Sequence, residues 1–467
     1  GVAVSRPVLV YGVGVAGLAT ARALVRRGVD VVAIDDRVDA AKSAALAAVG
    51  VELRLQPKSE QLERLVTASA FVAPAPGVPE NHLVVDMARR HGIPLKSELD
   101  LAYDWEQGRP GGPRPMLAVT GTDGKTTTVT MVESMLRSAG MRAIACGNTD
   151  IPLVEAVDED VDVFVVEATS FRLCFAETFR AEASAWINLA PDHLDWHSSM
   201  STYEAAKARL WSNVGPSDTV VGFLEDPVVM AHLRRSVARQ ITFSDGSGDY
   251  HRDGDVLVGP SGVLMNVADM GRSLPHDITN ALAASALVLE SGLASVSAVR
   301  ESLGGFVPPH HRIELVADHE GVRWFDDSKA TTPHAAVTAI RGFDSVILIA
   351  GGRNKGLDLS PMAAESGRVR AVVALGESAA EVESVFSGRV PVSTVGSMRD
   401  AVLAAARHAR ASDVVLLSPG CTSLDWYTGY AARGDDFVRN VRELIGGVNS
   451  DASSSEFAAP PSKGSRT

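Results

Sequence analysis

The sequence predicts an α/β protein of three domains, each built on a mostly parallel sheet flanked by helices. Short apolar runs rich in β-branched residues alternate with helical patterns along almost the whole chain, and Gly, Pro and Asp separate them. Such runs are typical of strands that are buried on both faces and joined by crossover helices. The strand-like runs are residues 8–11, 31–35, 117–120, 163–168, 345–350, 371–375 and 414–418.

Two segments that interrupt this alternation divide the chain. Segment 106–115 is rich in Gly and Pro and precedes a new strand, and segment 306–312 contains two consecutive prolines. The last residues, 448–467, are rich in Ser, Ala and Pro and show no periodicity, which is typical of a disordered tail. We therefore predict domains at 1–105, 106–308 and 309–447, with hinges near residues 105 and 308.

The composition argues against several classes of function. The 467 residues include 44 Lys and Arg against 57 Asp and Glu, a net charge of −13. This balance argues against nucleic acid as a partner, because a phosphate backbone is held by clustered Lys and Arg. Cys146, Cys174 and Cys421 are too far apart to indicate a disulfide framework or a zinc site. No apolar run reaches the ~18 residues of a membrane helix and no signal peptide is apparent, so we expect a cytoplasmic protein without membrane insertion.

A first Gly-rich turn follows the strand at 8–11. Gly12 suits a tight turn, Gly14 lets a phosphate approach the backbone, and Gly17 lets helix and strand pack closely. The start of the next helix offers free N–H groups to an anion. Asp35 stands 18 residues after Gly17, near the position of an acid that binds a ribose hydroxyl. The pattern indicates a nucleotide or dinucleotide site, or a turn that only builds the fold, and by itself it makes a nicotinamide-dependent dehydrogenase the first hypothesis.

A second Gly-rich loop, residues 120–127, joins a strand to an amphipathic helix. Such a loop points backbone N–H groups at phosphate oxygens. Lys125 can bridge the β- and γ-phosphates, and the Thr126 hydroxyl can bind Mg²⁺. The full eight-residue pattern has Gly where this chain has Val119, so the match is to a shorter variant. The loop indicates a triphosphate site, which a dehydrogenase does not need, and it therefore argues against hydride transfer.

These two loops and a series of short motifs resemble the Mur ligases, which are ATP-dependent amide-forming enzymes of peptidoglycan synthesis. The resemblance runs from residue 7 to about residue 445, and the order and spacing of the motifs make coincidence implausible. Besides the loops, it is carried by residues 147–148 (GN), 167–171 (EATSF), 188–195 (NLAPDHLD), 203–207 (YEAAK), 276–281 (HDITNA), 311–314 (HRIE), 327–331 (DSKAT) and 418–425 (SPGCTSLD).

The Gly-rich start, the turn at 35–37 and segment 327–331 look most like the D-glutamate-adding branch of this family. The resemblance implies a Rossmann-like N-terminal domain, a central P-loop ATPase-like domain and a Rossmann-like C-terminal domain. It also implies an enzyme that ligates D-glutamate to UDP-N-acetylmuramoyl-L-alanine through an acyl phosphate, with ADP and phosphate released. We expect this enzyme to be a cytoplasmic monomer. Two alternatives stay open: another Mur or folylpolyglutamate-type ligase that adds a different amino acid, and a nicotinamide-dependent oxidoreductase.

The resemblance assigns catalysis to Lys125, Glu167, His193 and Lys207. Glu167 ends an apolar run, and a carboxylate at the carboxyl end of a strand near a phosphate loop suits Mg²⁺. In this family the His that matches His193 holds a second Mg²⁺, and the Lys that matches Lys207 carries CO₂ as a carbamate. The expected metal contacts, at two Mg²⁺ sites, are Thr126, Glu167, His193 and carbamylated Lys207.

The substrate contacts are implied in the same way. ATP is expected at Gly121, Thr122, Asp123, Gly124, Lys125, Thr126, Thr127, Asn280, Arg312 and Asp327. The first Gly-rich turn then holds the uracil nucleotide of the sugar substrate, whose expected contacts are Gly14, Val15, Asp35, Asp36, Arg37, Gly77, Asn148 and Ser170. D-glutamate is expected at Thr331, Lys355, Ser423, Leu424 and Tyr430. Three residues depart from the common family sequence: Tyr430 stands where Phe is common, Asp150 where Gly is common and Asp277 where Asn is common. Whether Asp150 and Asp277 alter substrate contacts stays open.

Overall fold

The structure is a computed structural model that describes residues 6–37 and 40–454, with the backbone alone described over 447–454. The chain forms two compact units, Gly1–Val307 and Pro308–Thr467. The α/β fold class is confirmed, because the large sheets of both units are mostly parallel and flanked by helices. The division between the units falls inside segment 306–312, and no division separates the described residues on either side of residue 105. The three-domain boundaries stay a prediction.

The first sheet consists of four strands and the helices that connect them. These elements are β1 (Val8–Tyr11), α1 (Val15–Arg26), β2 (Val31–Asp35), α2 (Ala40–Ala47), β3 (Leu53–Leu55), α3 (Ser59–Ala68), β4 (Val72–Pro74), α4 (Leu83–Arg90) and α5 (Glu98–Gln107). The strands pair in parallel in the order β3-β2-β1-β4. Every residue of β1 is buried, which explains why its sequence is an uninterrupted apolar run.

The second sheet is larger and belongs to the same unit. Its strands and flanking helices are β5 (Met116–Thr120), α6 (Lys125–Ser138), β6 (Ala143–Gly147), α7 (Leu153–Ala156), β7 (Val163–Glu167), α8 (Ser170–Leu173), β8 (Ala183–Trp186), α9 (Met200–Ala208), β9 (Thr219–Phe223), α10 (Pro227–Leu233) and β10 (Arg239–Phe243). The six strands are parallel in the order β10-β9-β8-β5-β7-β6. Strands β5 and β7 are neighbours and are completely buried, so the loops that follow them lie side by side.

A small antiparallel sheet and two helices complete the first unit. They are β11 (His251–Asp253), β12 (Val256–Gly259), β13 (Gly262–Asn266), α11 (Pro275–Glu290) and α12 (Val296–Gly304). Apolar residues of α11 and α6 belong to one core cluster with the faces of β5 and β7. The start of α11 is thereby held next to the loop between β5 and α6.

Helix α5 occupies the position where the sequence predicts a domain boundary. Its residues Leu99 and Ala102 belong to the same apolar cluster as Met116 of β5. Asp100 is buried, and its carboxylate accepts backbone N–H groups from residues 177–179 at 2.9–3.0 Å. These buried contacts anchor α5 to the second sheet.

The second unit contains one sheet of six strands. Its elements are β14 (Glu314–His319), β15 (Val322–Asp326), α13 (Pro333–Arg341), β16 (Val346–Gly351), α14 (Ser360–Ala364), β17 (Val369–Leu375), α15 (Ala379–Phe386), β18 (Val392–Thr394), α16 (Met398–His408), β19 (Val414–Leu417) and α17 (Tyr430–Ser454). The order is β14-β15-β19-β16-β17-β18, and β14 pairs antiparallel with β15 while the other pairs are parallel.

The last helix reaches into the segment for which the sequence predicts a disordered tail. Helix α17 continues to Ser454, so the backbone of 448–454 is helical. The remainder of that segment, 455–467, lies outside the described residues. Within the described part of the chain, no helix has both the length and the apolar character needed to cross a membrane.

Candidate active site

The predicted phosphate loop lies between β5 and α6, at the carboxyl edge of the second sheet. Gly124 immediately precedes α6 and has a φ of +83°, a left-handed conformation that favours glycine. A Cβ at Gly124 would lie 2.8 Å from Oδ1 of Asn280, and a Cβ at Gly121 would lie 2.5 Å from Cγ1 of Ile187. Both distances are shorter than real Cβ contacts, so a larger residue at either position would have to displace the neighbouring side chain.

Asn188, which follows β8, holds the phosphate loop in shape. Its Oδ1 accepts the backbone N–H groups of Thr122 (2.8 Å) and Asp123 (3.0 Å), and its Nδ2 donates to the Asp123 carbonyl (3.0 Å). The Thr122 hydroxyl also accepts the N–H of Ala190 at 2.9 Å and lies 3.0 Å from the hydroxyl of Tyr203. Although the sequence motif includes Asn188, it does not reveal this bracing role, which depends on β8 lying beside β5.

Two lysines converge on the carbonyl oxygen of Gly121. Lys125 is the first residue of α6, and its Nζ donates to the carbonyls of Gly121 (2.9 Å) and Thr122 (2.8 Å). Lys207 on α9 is 1% exposed, and its Nζ donates to the same Gly121 carbonyl at 2.7 Å. Burial, reinforced by the charge of Lys125, lowers the pKa of Lys207 well below its usual range, although three nearby carboxylates act in the opposite direction. The geometry therefore favours a neutral amine at Lys207.

Glu167 ends β7, and its side chain is buried next to the phosphate loop, with 2% of the residue exposed. Its Oε1 accepts a hydrogen bond from Nδ2 of Asn148 at 3.2 Å. Its Oε2 is buried and has no hydrogen-bond partner among the described residues. Because an unpaired buried carboxylate oxygen is costly, such atoms are normally paired or bound to a cation. The arrangement fits a ligand of Mg²⁺, which prefers carboxylate oxygens.

His193 lies in the loop after β8 with a φ of +53°, which is uncommon for a residue with a Cβ. Its Nε2 lies 2.9 Å from Oδ2 of Asp192, and Oδ1 of Asp192 accepts the His193 N–H at 2.7 Å. The ring also packs edge-on against Phe171, with 4.5 Å between the ring centroids. Asp192 therefore orients His193, in the way that a carboxylate commonly orients a histidine ligand of a metal.

Asn148 follows β6 at a turn that Gly147 makes possible. Gly147 has a φ of +91°, and a Cβ there would lie 2.6 Å from the carbonyl oxygen of Glu167. Besides contacting Glu167, the Asn148 side chain accepts a hydrogen bond from Nη1 of Arg172 at 2.8 Å. Asp150 does not adopt a left-handed conformation, so the turn accommodates this departure from the common family sequence.

Ser170, at the start of α8, is linked to two residues that the sequence motifs do not include. Its Oγ lies 2.9 Å from Nε2 of His197, and Nδ1 of His197 lies 3.1 Å from Oε2 of Glu80. Oε1 of Glu80 accepts the backbone N–H (2.6 Å) and the hydroxyl (2.5 Å) of Ser198. Burial alone would raise the pKa of Glu80, but these hydrogen bonds outweigh it and lower the pKa to about 2. Burial also lowers the pKa of His197, against the opposing effect of Glu80.

Asn280 lies on α11 and faces the phosphate loop at Gly124. One turn earlier, Asp277 is completely buried and pairs with Arg272, whose Nε and Nη2 donate to its two oxygens at 2.7 Å each. The carboxylate also accepts the backbone N–H of Leu274 at 3.1 Å. Asp277 therefore anchors the start of α11, and its oxygens are engaged in that structural contact.

The first Gly-rich turn has the tight geometry that its sequence indicates. Gly12 has a φ of +85°, and a Cβ at Gly17 would lie 1.9 Å from the Gly12 carbonyl oxygen. Asp35 braces the turn, because its Oδ2 accepts the N–H of Val13 at 2.7 Å and its Oδ1 accepts the N–H of Arg37 at 3.0 Å. Both oxygens of the acid expected to bind the nucleotide thus already accept one backbone hydrogen bond each.

Asp36 is oriented by two residues that the sequence did not single out. Its Oδ1 accepts the hydroxyl of Tyr11 at 2.6 Å, and its Oδ2 lies 3.4 Å from Nε2 of His82. Burial and the neighbouring Asp36 raise the pKa of Tyr11, so the phenol stays a donor. The rest of the turn is open, since 69% of Val15 is exposed and a Cβ added at Gly14 or Gly77 would meet nothing within 4 Å.

In the second unit, Asp327 is a predicted site residue whose pKa is raised by burial. It is buried after β15, where its Oδ2 accepts the Ser418 hydroxyl at 2.7 Å and its Oδ1 accepts the N–H of Ile313 at 3.2 Å. Burial raises its pKa to about 7, although the Ser418 hydrogen bond and the charge of Arg312 act in the opposite direction. The carboxyl group therefore titrates close to neutral pH.

The residues expected to bind D-glutamate meet at one edge of the second unit's sheet. They follow the carboxyl ends of the adjacent strands β15, β19 and β16 or begin α17, and they are Thr331, Lys355, Ser423, Leu424 and Tyr430. Sequence reasoning missed Arg433, a buried cation of α17 that joins two of these loops. Its guanidinium donates to the Ser328 hydroxyl (2.9 Å) and carbonyl (2.8 Å) and to the Cys421 carbonyl (3.1 Å). Burial lowers the pKa of Arg433 to about 10.

Comparison with known proteins agrees with the arrangement of these sites along the chain. Three family models match successive segments: a Mur ligase MurD-like N-terminal domain over residues 6–97, a Mur ligase middle domain over 119–288, and a Mur ligase glutamate ligase domain over 311–421. The first segment holds the first Gly-rich turn, and the second holds the phosphate loop, Glu167, His193 and Lys207.

Similar full-length proteins and a similar fold are also known. Proteins named UDP-N-acetylmuramoylalanine--D-glutamate ligase from Frankia casuarinae and Streptomyces coelicolor are 40% and 36% identical over 458 and 465 residues. These matches cover 94% of this chain, and 94% and 98% of the two relatives. The fold is similar to the crystal structure of UDP-N-acetylmuramate-alanine ligase MurC from Thermotoga maritima, with a TM-score of 0.57 and 18% identity over 95% of this chain and 99% of that one. On the strength of the identities to its relatives, this chain belongs to the Mur ligase family.

Proposed function

We propose that this chain is an ATP-dependent ligase that joins D-glutamate to the carboxyl group of UDP-N-acetylmuramoyl-L-alanine and releases ADP and phosphate. The relatives that match 94% of the chain carry the name of this activity. The observation that carries the proposal is the convergence of a phosphate loop, a buried lysine that donates to that loop, and a buried carboxylate oxygen with no hydrogen-bond partner among the described residues. A nicotinamide-dependent oxidoreductase would have no use for these groups.

The first chemical step transfers the γ-phosphoryl group of ATP to the substrate's own carboxylate. The carboxylate oxygen attacks the γ-phosphorus, the bond to the β–γ bridging oxygen breaks, and ADP leaves an acyl phosphate behind. In the structure, Nζ of Lys125 donates to two loop carbonyls. It can donate to phosphate oxygens of ATP instead while the residue keeps its place in the loop. The loop, braced by Asn188, presents its N–H groups where negative charge accumulates.

The residues around the loop also fit a Mg²⁺ site. Thr126, Glu167, His193 and carbamylated Lys207 would hold the metal, and the unpaired Oε2 of Glu167 is the observation that favours a cation there. A neutral amine is the form of lysine that adds CO₂, giving a carbamate anion and a proton, and the burial that lowers the pKa of Lys207 favours that form. When bound, Mg²⁺ would neutralise charge on the phosphates.

The second step joins the amino acid. The neutral amine of D-glutamate attacks the acyl carbon, and the tetrahedral intermediate breaks its bond to the phosphate oxygen. The nitrogen gives up one proton, which the departing phosphate can accept, and the amide remains. D-glutamate carries two carboxylates, so a lysine together with hydroxyl and backbone donors is chemically suited to it. The candidates are Thr331, Lys355, Ser423, Leu424 and Tyr430.

The other contacts follow the same proposal. The nucleotide end of the sugar substrate meets the open side of the first turn, and its muramoyl end meets Asn148 and Ser170. Asn280, Arg312 and Asp327 are the remaining ATP contacts. We also propose that the enzyme acts as a monomer in the cytoplasm, where its nucleotide substrates are available.

The experiment that tests the proposal measures phosphate release from ATP with UDP-N-acetylmuramoyl-L-alanine and a panel of amino acids. We expect release that depends on D-glutamate and that disappears in Lys125→Ala, because the terminal phosphate loses its cation. Lys58→Ala is the matched control, since it removes the same charge from an exposed position before α3. A preference for L-lysine, diaminopimelate or L-glutamate would contradict the choice of amino acid, and activity that survives in Lys125→Ala would contradict the ligase mechanism.

A further inference from the structure

Glu80, His197 and Ser170 form a hydrogen-bonded series that joins the two sheets of the first unit. Glu80 lies in the loop after β4, and Ser170 and His197 follow β7 and β8 of the second sheet. The contacts are 3.1 Å from the Glu80 carboxylate to Nδ1 of His197 and 2.9 Å from Nε2 of His197 to the Ser170 hydroxyl. The series therefore connects the domain expected to hold the nucleotide with a residue expected to contact the muramoyl end.

With a neutral imidazole, the protons in this series have one consistent arrangement. Glu80 already accepts two hydrogen bonds from Ser198, so it acts as an ionised acceptor and its other oxygen requires a proton on Nδ1 of His197. The imidazole side chain is completely buried and packs against Trp196 (4.5 Å between ring centroids) and Tyr203 (5.2 Å). Such an enclosure favours the neutral imidazole, whose Nε2 is then an acceptor. The Ser170 hydroxyl must donate its only proton to that nitrogen.

We propose that Glu80 and His197 are positioning residues that hold Ser170 as a pure hydrogen-bond acceptor for an amide N–H of the sugar substrate. This inference rests on the proposed function. UDP-N-acetylmuramoyl-L-alanine carries amide N–H groups in its acetyl and alanyl parts, and both can donate to a serine oxygen. A carboxylate or phosphate oxygen would find no donor at Ser170, so the series also keeps the reacting carboxylate from binding there in the wrong position.

Replacing Glu80 with Gln tests this arrangement, because the new side chain has nearly the same shape. The Gln oxygen can still accept both Ser198 donors, but its NH₂ group then faces Nδ1 of His197. The imidazole must move its proton to Nε2 and donate to Ser170, which turns the serine proton toward the substrate. We expect the KM for UDP-N-acetylmuramoyl-L-alanine to rise about tenfold, as for the loss of one good hydrogen bond, while the KM values for ATP and D-glutamate stay unchanged.

The tautomer can be measured directly. In the wild-type protein, ¹⁵N NMR of His197 should show a proton on Nδ1 and none on Nε2, and Glu80→Gln should reverse this pattern. A wild-type imidazole protonated at Nε2 would overturn the proposal without any variant being needed, even if Glu80→Gln folded poorly.

A double-mutant cycle separates positioning from a purely structural role. If Glu80 acts through Ser170, adding Glu80→Gln to Ser170→Ala should raise the KM for the sugar substrate no further. Ser198→Ala, which removes one hydrogen bond to Glu80 but leaves the imidazole untouched, should change this KM less than twofold. Additive effects of Glu80→Gln and Ser170→Ala would overturn the proposal, whereas a wild-type enzyme without D-glutamate-dependent turnover would instead refute the proposed function.

Discussion

Replacing Lys207 with Met removes the amine while keeping a side chain of similar length. The substitution eliminates the hydrogen bond from Nζ to the Gly121 carbonyl, but that oxygen keeps the Nζ of Lys125 as a donor at 2.9 Å. No buried acceptor is left unpaired, and the desolvation of an amine is avoided, so the free energy of unfolding should change by no more than about 1 kcal/mol. Nζ of Lys207 lies 4.6 Å from the centre of the Tyr203 ring, a place that the terminal methyl group of Met can fill.

The effect on activity should be much larger than the effect on stability. If Lys207 carries the carbamate that helps hold the metal, kcat should fall about 100- to 1,000-fold, the range expected when one group that stabilises transition-state charge is lost. Added bicarbonate should stimulate the wild-type enzyme after CO₂ depletion and should not stimulate Lys207→Met.

Two assays and one control variant decide the matter. Urea unfolding gives the stability, and phosphate release at saturating substrates gives kcat. Lys58→Met loses an exposed lysine and should change neither quantity. The reasoning is refuted if Lys207→Met keeps kcat within a few-fold of wild type, or if it loses more than about 3 kcal/mol of stability, because the lysine would then be structural.

Three further predictions concern glycine, amide and carboxyl groups of the site. Gly124→Ala should lower the free energy of unfolding by more than the roughly 1–2 kcal/mol that a left-handed conformation costs a residue with a Cβ, because the new Cβ would also lie 2.8 Å from Asn280. Gly140→Ala is the control, since Gly140 has a similar φ of +84° but no atom near the added Cβ. An equal loss of stability in the two variants, measured by urea unfolding, would contradict the steric argument. Asn188→Ala removes the side-chain acceptor of two backbone N–H groups of the loop, although the Thr122 N–H keeps the Asn188 backbone carbonyl at 3.3 Å. We therefore expect about 1–2 kcal/mol of lost stability and a KM for ATP that rises more than the KM for D-glutamate; equal KM changes in steady-state kinetics would argue against its bracing role. Folded Asp327 has its pKa raised to about 7 by burial, so the folded state holds this proton more tightly than the unfolded chain does. Its contribution to stability is therefore fully present below about pH 4 and is lost as the pH rises through about 7. Asp327→Asn should weaken the decline in the free energy of unfolding between pH 5 and 8, measured by urea unfolding. An unchanged decline would show that other groups cause it.

Local features of the chain were predictable because each depends on neighbours in sequence. The apolar runs became strands, and the glycines at 12, 17, 121 and 124 stand where a Cβ would collide or where the backbone is left-handed. The phosphate loop and Glu167 follow neighbouring strands, as the rule for parallel sheets requires.

The residues that support the site were not predictable in the same way, because their contacts join segments far apart in the chain. Asn188 braces a loop 65 residues away, and Glu80 contacts His197 across 117 residues. The order of the strands decides which of these distant segments become neighbours, and a single sequence does not reveal that order. Arg433 looks like any charged residue of a long helix until the fold buries it against Ser328.

The structure adds detail to two sequence-based interpretations. Asp277 stands in a motif of the nucleotide site, yet its carboxylate is occupied by Arg272 and the start of α11. The boundary that the Gly- and Pro-rich segment at 106–115 indicates stays a prediction, and the structure adds that α5, just before it, is tied to the second sheet by buried hydrogen bonds.

The most direct test of the account follows an oxygen atom through the reaction. UDP-N-acetylmuramoyl-L-alanine labelled with ¹⁸O at both oxygens of its alanyl carboxylate is incubated with the enzyme, ATP and D-glutamate, and the released phosphate is analysed by mass spectrometry. Activation through an acyl phosphate predicts one ¹⁸O atom in each phosphate released. Phosphate without the label, formed together with the amide product, would contradict the central claim.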